Sequence, residues 1–277
     1  MKNKTLLLGF FIFWVSSVFS TISAAKIDTI QVYSESMKKN VPVLVAVPDN
    51  YTSSKKYPAV YMLHGYSGSY IDSWFEEDVD ARHWADLCEM ILVVPDGGFS
   101  SWYFDSPIDP TYRYETFVSK ELVSYIDEHF STMASPKGRA ITGLSMGGHG
   151  AFYLSFRHQD IFGAAGSTSG GLDIRPFPLN WDMAKRLGSY SEYPENWEKN
   201  TVINLVHLLI PNSLALIFDC GTEDFFYEAN QKLHEKLLYM NIPHEFISRP
   251  GKHNGEYWKN SIDSHMMFFH KFFIKNK

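Results

Sequence analysis

Cysteine is scarce, with two residues in 277. That excludes a small fold stapled by disulfides, because such scaffolds carry cysteine at far higher density. Basic charge is also short: 25 Lys and Arg stand against 31 Asp and Glu, a formal net charge of -6. A chain so balanced lacks the cationic surface that grips phosphate backbones, which argues against nucleic acid as a partner. No apolar run after residue 25 reaches the roughly 20 residues needed to span a bilayer. Phosphate-cradling glycine loops of the Walker or G-x-G-x-x-G form are missing. His234-Glu235 and His244-Glu245 lack the second histidine of a zinc-protease helix, and no Cys/His quartet exists for structural zinc. No metal and no cofactor is implied. Repeats, low-complexity tracts and Pro/Gly/Ser linkers are also wanting, so one domain is expected over Lys26 to Lys277.

What the chain does have is apolar and aromatic bulk. Hydrophobic residues make up 45% and aromatics 16%, with 21 Phe, 16 Tyr and 7 Trp, which excludes a disordered chain. Some of that bulk lies in the first 25 residues. Lys2 and Lys4 open a positive start, Leu6 to Phe19 run apolar, and Ser23-Ala24-Ala25 supply small residues before Lys26. This is the layout of a cleaved signal peptide, and a secreted or periplasmic protein is expected, with no membrane partner after cleavage. The alternative is an uncleaved anchor, for which the run is short. Export allows Cys88 and Cys220 to pair. Both border apolar strand-like runs, and two buried free thiols are expected instead.

Strand-like apolar runs alternate with helix-like stretches. The runs are Val41 to Val47, Ala59 to Leu63, Met90 to Val94, Ala140 to Leu144, Phe162 to Gly166 and Leu214 to Phe218. Helical spacing falls over Thr116 to Phe130, Gly147 to Arg157, Phe225 to Met240 and Tyr257 to Phe273. Continuous apolar strands separated by helices predict an α/β fold, a mostly parallel central sheet with helices on both faces. Leu172 to Pro211 breaks the pattern with four prolines, Trp181 and Trp197. It reads as an excursion with short helices near Asp182 to Leu187 and Trp197 to Leu208, either roofing a site or decorating the surface.

Gly143-Leu144-Ser145-Met146-Gly147 fits G-x-S-x-G between a predicted strand and a predicted helix. A sharp strand-to-helix turn needs small neighbours, and it exposes the serine at a helix N-terminus. A serine hydroxyl is a weak nucleophile. It needs a base, and the base needs an orienting acid. In this layout the acid follows the serine and the histidine comes last. Asp224 follows the strand at Leu214, and His253 lies in the loop Arg249 to Gly255 after a short strand at Glu245 to Ser248. Asp219 is the rival acid and Glu223 a weaker one. His244 precedes the last strand, at the wrong edge, while His149 lies on the helix behind Ser145 and is expected to pack. Two backbone N–H groups must hold a developing oxyanion. Met146 supplies one and Tyr66, in the loop His64-Gly65-Tyr66, the other. His64 is expected to brace that loop.

Four segments carry a resemblance: Tyr57 to Gly65, Gly143 to Gly148, Gly221 to Asp224 and Pro250 to His253. Together they resemble the esterase family of α/β-hydrolases, which includes feruloyl and acetyl-xylan esterases, tributyrin-type esterases, S-formylglutathione hydrolases and mycolyltransferases. The similarity runs from about Val32 to the C-terminus. It implies the α/β-hydrolase fold, a Ser145–His253–Asp224 triad, and oxyanion donors at Tyr66 and Met146. It also implies an ester substrate. Export and aromatic richness add the expectation of feruloyl or acetyl groups on plant polysaccharide, with Trp102, Tyr103 and Trp181 as candidates to stack on rings; the alternative for the cluster around Trp102 and Tyr103 is that it packs the core. A general short-chain esterase, an acyltransferase of the same fold and a non-catalytic binding domain are the alternatives.

Overall fold

The computed structural model describes residues 25–76 and 79–276. The expected signal segment, apart from Ala25, lies outside them. Among the described residues, eight strands form one sheet in the order β1-β2-β6-β3-β7-β8-β9-β10. They are β1 (Lys26–Ser34), β2 (Lys39–Val47), β3 (Ala59–Leu63), β6 (Ile91–Pro95), β7 (Arg139–Gly143), β8 (Ala164–Thr168), β9 (Ala215–Gly221) and β10 (Glu245–Arg249). A two-stranded ribbon, β4 (Phe75–Glu76) with β5 (Val79–Asp80), stands apart. The pairs β1–β2 and β2–β6 are antiparallel, and every later pair in the sheet is parallel. This is the mostly parallel α/β sheet the sequence predicts.

Residue alternation explains why the sheet is covered twice. In β3, Ala59, Tyr61 and Leu63 enter one apolar cluster while Val60 and Met62 enter the other. Period-two side chains point to opposite faces, so a fully apolar strand needs cover on both. One face carries α2 (Tyr114–Thr116), α3 (Val123–His129), α4 (Met146–Arg157) and α7 (Tyr227–Tyr239), through Tyr114, Ile126, Phe152 and Leu233. The other carries α1 (Arg82–Leu87) and α8 (Gly255–Lys275), through Trp84, Ile262, Met266 and Phe269. Cys88 packs in the second cluster and Cys220 in the first; both are free and buried. None of the described helices is long and apolar enough to cross a membrane.

Several boundaries differ from expectation. β1 escaped the apolar pattern because it is an edge strand with only Val32 and Ser34 buried. The helix expected over Thr116 to Phe130 runs from Tyr114 to His129 with a π-helical turn at Phe117–Leu122. The five-residue step between the apolar Phe117 and Leu122 suits that wider turn. β9 continues past Phe218 through Asp219, Cys220 and Gly221; Asp219 pairs with both neighbours, and Cys220 and Gly221 with β10 alone. In the excursion, α5 (Met183–Leu187) is where expected. The second helix is α6 (Pro194–Asn200), begun by proline and followed by a 3₁₀ stretch, Val202–Leu208.

The order of connection locates a crevice. From β3 the chain steps to β6 on one side, then returns across β3 to β7 on the other. Loops leaving β3 and β7 therefore diverge at their carboxyl ends, which is where open α/β sheets bind ligands.

Candidate active site

Ser145 stands at that crevice, between β7 and α4. Its backbone is left-handed, φ 56° and ψ -117°, a conformation that an L-residue holds only when its surroundings impose it. The glycines beside it make the turn feasible. A Cβ at Gly143 would fall 2.2 Å from the Gly147 carbonyl carbon, and one at Gly147 would fall 2.2 Å from the Leu63 oxygen. The Ser145 N–H donates to the Thr168 carbonyl at 2.9 Å, which fixes the serine to β8.

His253 and Asp224 reach Ser145 from adjacent loops. The loops after β9 and β10 are joined by backbone bonds, Thr222 N–H to Arg249 O and Glu223 N–H to Gly251 O, each 2.9 Å. His253 Nε2 lies 2.9 Å from Ser145 Oγ. Its Nδ1 lies 2.8 Å from Asp224 Oδ2. An ionised carboxylate only accepts, so Nδ1 carries the proton and Nε2 faces the hydroxyl as an acceptor. Asp224 has a fully buried carboxylate, and its other oxygen accepts the Phe226 N–H at 2.8 Å. The structure thus brings Ser145, His253 and Asp224 into one hydrogen-bonded chain. The rival Asp219 is engaged elsewhere, with Thr168, Ser261 and His265.

The loop after β3 closes the other side. A Cβ on Gly65 would lie 3.6 Å from Ser145 Cβ, so this backbone passes close to the serine. Among the described residues, neither the Tyr66 nor the Met146 N–H has an acceptor in the protein. His64 braces the loop as its sequence position suggests: Nε2 accepts the Gly97 N–H and Nδ1 donates to Gly65 O, both at 2.7 Å. Burial lowers its pKa and keeps it neutral. His149, on α4 one turn after Ser145, packs inward, with its pKa pushed down to about 4 by burial.

Ser145 and His253 open into a cavity of about 690 Å³, lined also by Tyr66, Ser67, Asp72, Trp181, Phe225 and Trp258. Trp181 lies in this wall. Trp102 and Tyr103 do not, and their expected role in stacking on a ligand is corrected: they are 1% and 0% exposed. Left-handed backbone at both turns them inward. Trp102 packs on His149, and the Tyr103 hydroxyl donates to the His64 carbonyl. Phe225 and Trp258 join that wall with no motif in the sequence to mark them. Their ring centroids lie 4.3 Å and 5.2 Å from that of His253. The available signal was position, since Phe225 follows Asp224 directly and Trp258 falls in the first turns after His253. A larger cleft of about 830 Å³ lies around Glu115. There Arg157 and His158 are already paired with Glu115, so those charges are satisfied internally.

The Esterase family model, described as Putative esterase, matches residues 34–269. Esterase Rv1288 of Mycobacterium tuberculosis is 30% identical over 251 residues, which cover 77% of this chain and 52% of that protein. The chain therefore spans about half the length of that relative. The diacylglycerol acyltransferase/mycolyltransferase Ag85A of Mycobacterium leprae is 33% identical over 230 residues, 76% of this chain and 67% of that one. Among solved structures, a ferulic acid esterase superposes with a TM-score of 0.77 at 29% identity, covering 90% of this chain and 98% of that one.

Proposed function

The chain belongs to the Esterase family and has its α/β-hydrolase fold, and from that premise we propose that it is an exported serine carboxylic-ester hydrolase. The observation that carries the reading is the unbroken chain Asp224–His253–Ser145 at the edge of an open cavity. Ser145 Oγ attacks the ester carbonyl carbon as its proton passes to His253 Nε2. The N–H groups of Tyr66 and Met146 stabilise the oxyanion. Collapse breaks the C–O bond, and the alkoxide leaves with the proton from His253. Water, deprotonated by the same nitrogen, then releases the acid from Ser145. Asp224 fixes the imidazole tautomer and stabilises its charged form. Hydrolysis of p-nitrophenyl acetate or butyrate is expected, and Ser145→Ala should abolish it. Wild-type-like turnover in that variant would refute the reading.

The proposed substrate carries feruloyl or acetyl groups on plant polysaccharide. Support comes from the name of the ferulic acid esterase that resembles this chain, and from Trp181, Phe225 and Trp258 in the cavity wall. Export is supported by the residue layout before Lys26. Methyl ferulate, acetylated xylan and p-nitrophenyl butyrate compared by kcat/KM separate this substrate from a general short-chain ester. A second reading, acyl transfer, is favoured by the similarity to Ag85A. It requires only that an acceptor alcohol outrun water at the acyl-enzyme. Transfer to an added alcohol exceeding hydrolysis would establish it.

A further inference from the structure

Beneath the Ser145 chain lies a second histidine–carboxylate pair that the proposed reaction does not use. Asp219 in β9 and His265 in α8 each have side chains only 1% exposed, and His265 Nε2 lies 3.0 Å from Asp219 Oδ1. His265 Nδ1 lies 2.9 Å from the hydroxyl of Thr142, in β7 just before the serine turn. The Thr168 hydroxyl donates to Asp219 Oδ1 at 2.9 Å, and the Ser261 hydroxyl to Oδ2 at 2.5 Å. The Arg249 guanidinium stands 3.5 Å from the same Oδ2. Gly166 leaves room for the group: a Cβ there would fall 2.5 Å from His265 Nδ1 and 2.7 Å from Thr142 Oγ1.

These partners belong to the elements that deliver the reacting side chains. Thr142 is in β7, which leads into Ser145. Thr168 ends β8, and its carbonyl holds the Ser145 N–H. Asp219 lies in β9, which runs on to Asp224. Arg249 closes β10 just before His253, and Ser261 and His265 lie on α8 just after it. Burying a carboxylate is costly unless its lone pairs are engaged, so the surrounding donors are held at short, fixed distances. A fully satisfied buried network favours one geometry.

We infer that Asp219 and His265 are positioning residues whose buried pair sets the spacing of Ser145, His253 and Asp224. The inference rests on the ester-hydrolase reading above. Neither residue lines the cavity, so the pair acts on kcat and leaves substrate binding alone. Misplacing reacting atoms by about 1 Å can cost roughly a hundredfold in rate.

The test is kinetics on p-nitrophenyl butyrate for His265→Gln, His265→Phe and Asp219→Asn, at a temperature where circular dichroism shows each variant folded. His265→Gln keeps a donor toward Asp219 and should stay within about 1.5-fold of wild-type kcat, whereas His265→Phe and Asp219→Asn should lose at least about tenfold with KM unchanged. If either fails to fold, Thr168→Val and Ser261→Ala each remove one bond to the carboxylate, and each should lower kcat about threefold at constant KM. Wild-type kcat in folded variants overturns the inference, however far Tm falls. So does a change mainly in KM, or equal loss in His265→Gln and His265→Phe. Absence of any Ser145-dependent turnover in the wild type would instead sink the hydrolase reading. In that event the downfield proton NMR signal of the His253–Asp224 bond decides: it should move in His265→Phe and stay in His265→Gln, and a signal unmoved in both overturns the inference.

Discussion

Asp224→Asn is the sharpest single-residue test of the Ser145 chain, because the surroundings dictate how the amide sits. The Phe226 N–H donates to Oδ1 at 2.8 Å, so the amide oxygen is held there and the NH₂ group is left facing His253. Two donors cannot face each other, and His253 must shift its proton from Nδ1 to Nε2. That tautomer cannot accept a proton from Ser145. A fall in kcat of about 10²–10⁴ with little change in KM is expected, by analogy with the serine-protease case. Steady-state kinetics on p-nitrophenyl butyrate measure it, and a loss under about threefold would show that tautomer control is unimportant. All three residues of this chain were legible because each signal is local: a glycine-flanked serine after a strand, an acid after a strand, a histidine in a turn. Trp102 and Tyr103 misled for the complementary reason. Composition reports that rings are present, while the backbone turn that buries them is a conformational fact with no compositional signature.

At the level of elements, the excursion after β8 is bolted down. The Arg186 guanidinium lies 3.5 Å from the Tyr112 ring centroid and 2.7 Å from Asp109 Oδ2. The Arg186 carbonyl also accepts the Ser106 hydroxyl at 2.6 Å. Together these fasten α5, which begins two residues after Trp181 of the cavity wall, to the loop before α2. Arg186→Met keeps the apolar stem and removes the charge and the fork. It should cost about 1–2 kcal/mol of stability, chiefly because the buried guanidinium loses its bonds and its ring contact, while Asp109 is a third exposed and can be hydrated. It should also raise KM for methyl ferulate more than for p-nitrophenyl acetate, because the larger ring depends on the Trp181 wall. Equal KM changes for both esters would remove that wall from the account of specificity. The sequence located α5 but not its anchorage, because Ser106, Asp109 and Tyr112 are distant in the chain and carry no periodic signal. The missed β1 and α1 share a related cause: an exposed edge strand and a six-residue helix offer too few buried positions to set a period.

For the molecule as a whole, the sheet's two covered faces were readable from continuous apolar strands, and the crevice followed from the strand order. The polar groups enclosed by that packing were not, and they govern response to acid. His149 lies fully buried among Trp102, Phe104 and Tyr153, and burial pushes its pKa from 6.5 down to about 4. The unfolded chain therefore binds a proton that the folded chain refuses as pH drops below 6.5. Stability from this group is complete above that value and is lost as pH falls toward 4, by an amount on the order of 3 kcal/mol. Glu115 adds a second, lower window. Burial opposes its ionisation, but hydrogen bonds from His158, Arg157 and Tyr153 outweigh it and bring its pKa to about 2. Its contribution is complete above 4.5 and is lost as pH falls through 2. Urea unfolding between pH 7 and 3 should show stability declining from about pH 6.5, ahead of carboxylate titration. His149→Phe should make the upper part of that decline shallower, between pH 6.5 and 4, with His64 supplying what remains, and leave the lower part in place. An unchanged slope in that interval would mean that His149 is not the group whose protonation unfolds the protein.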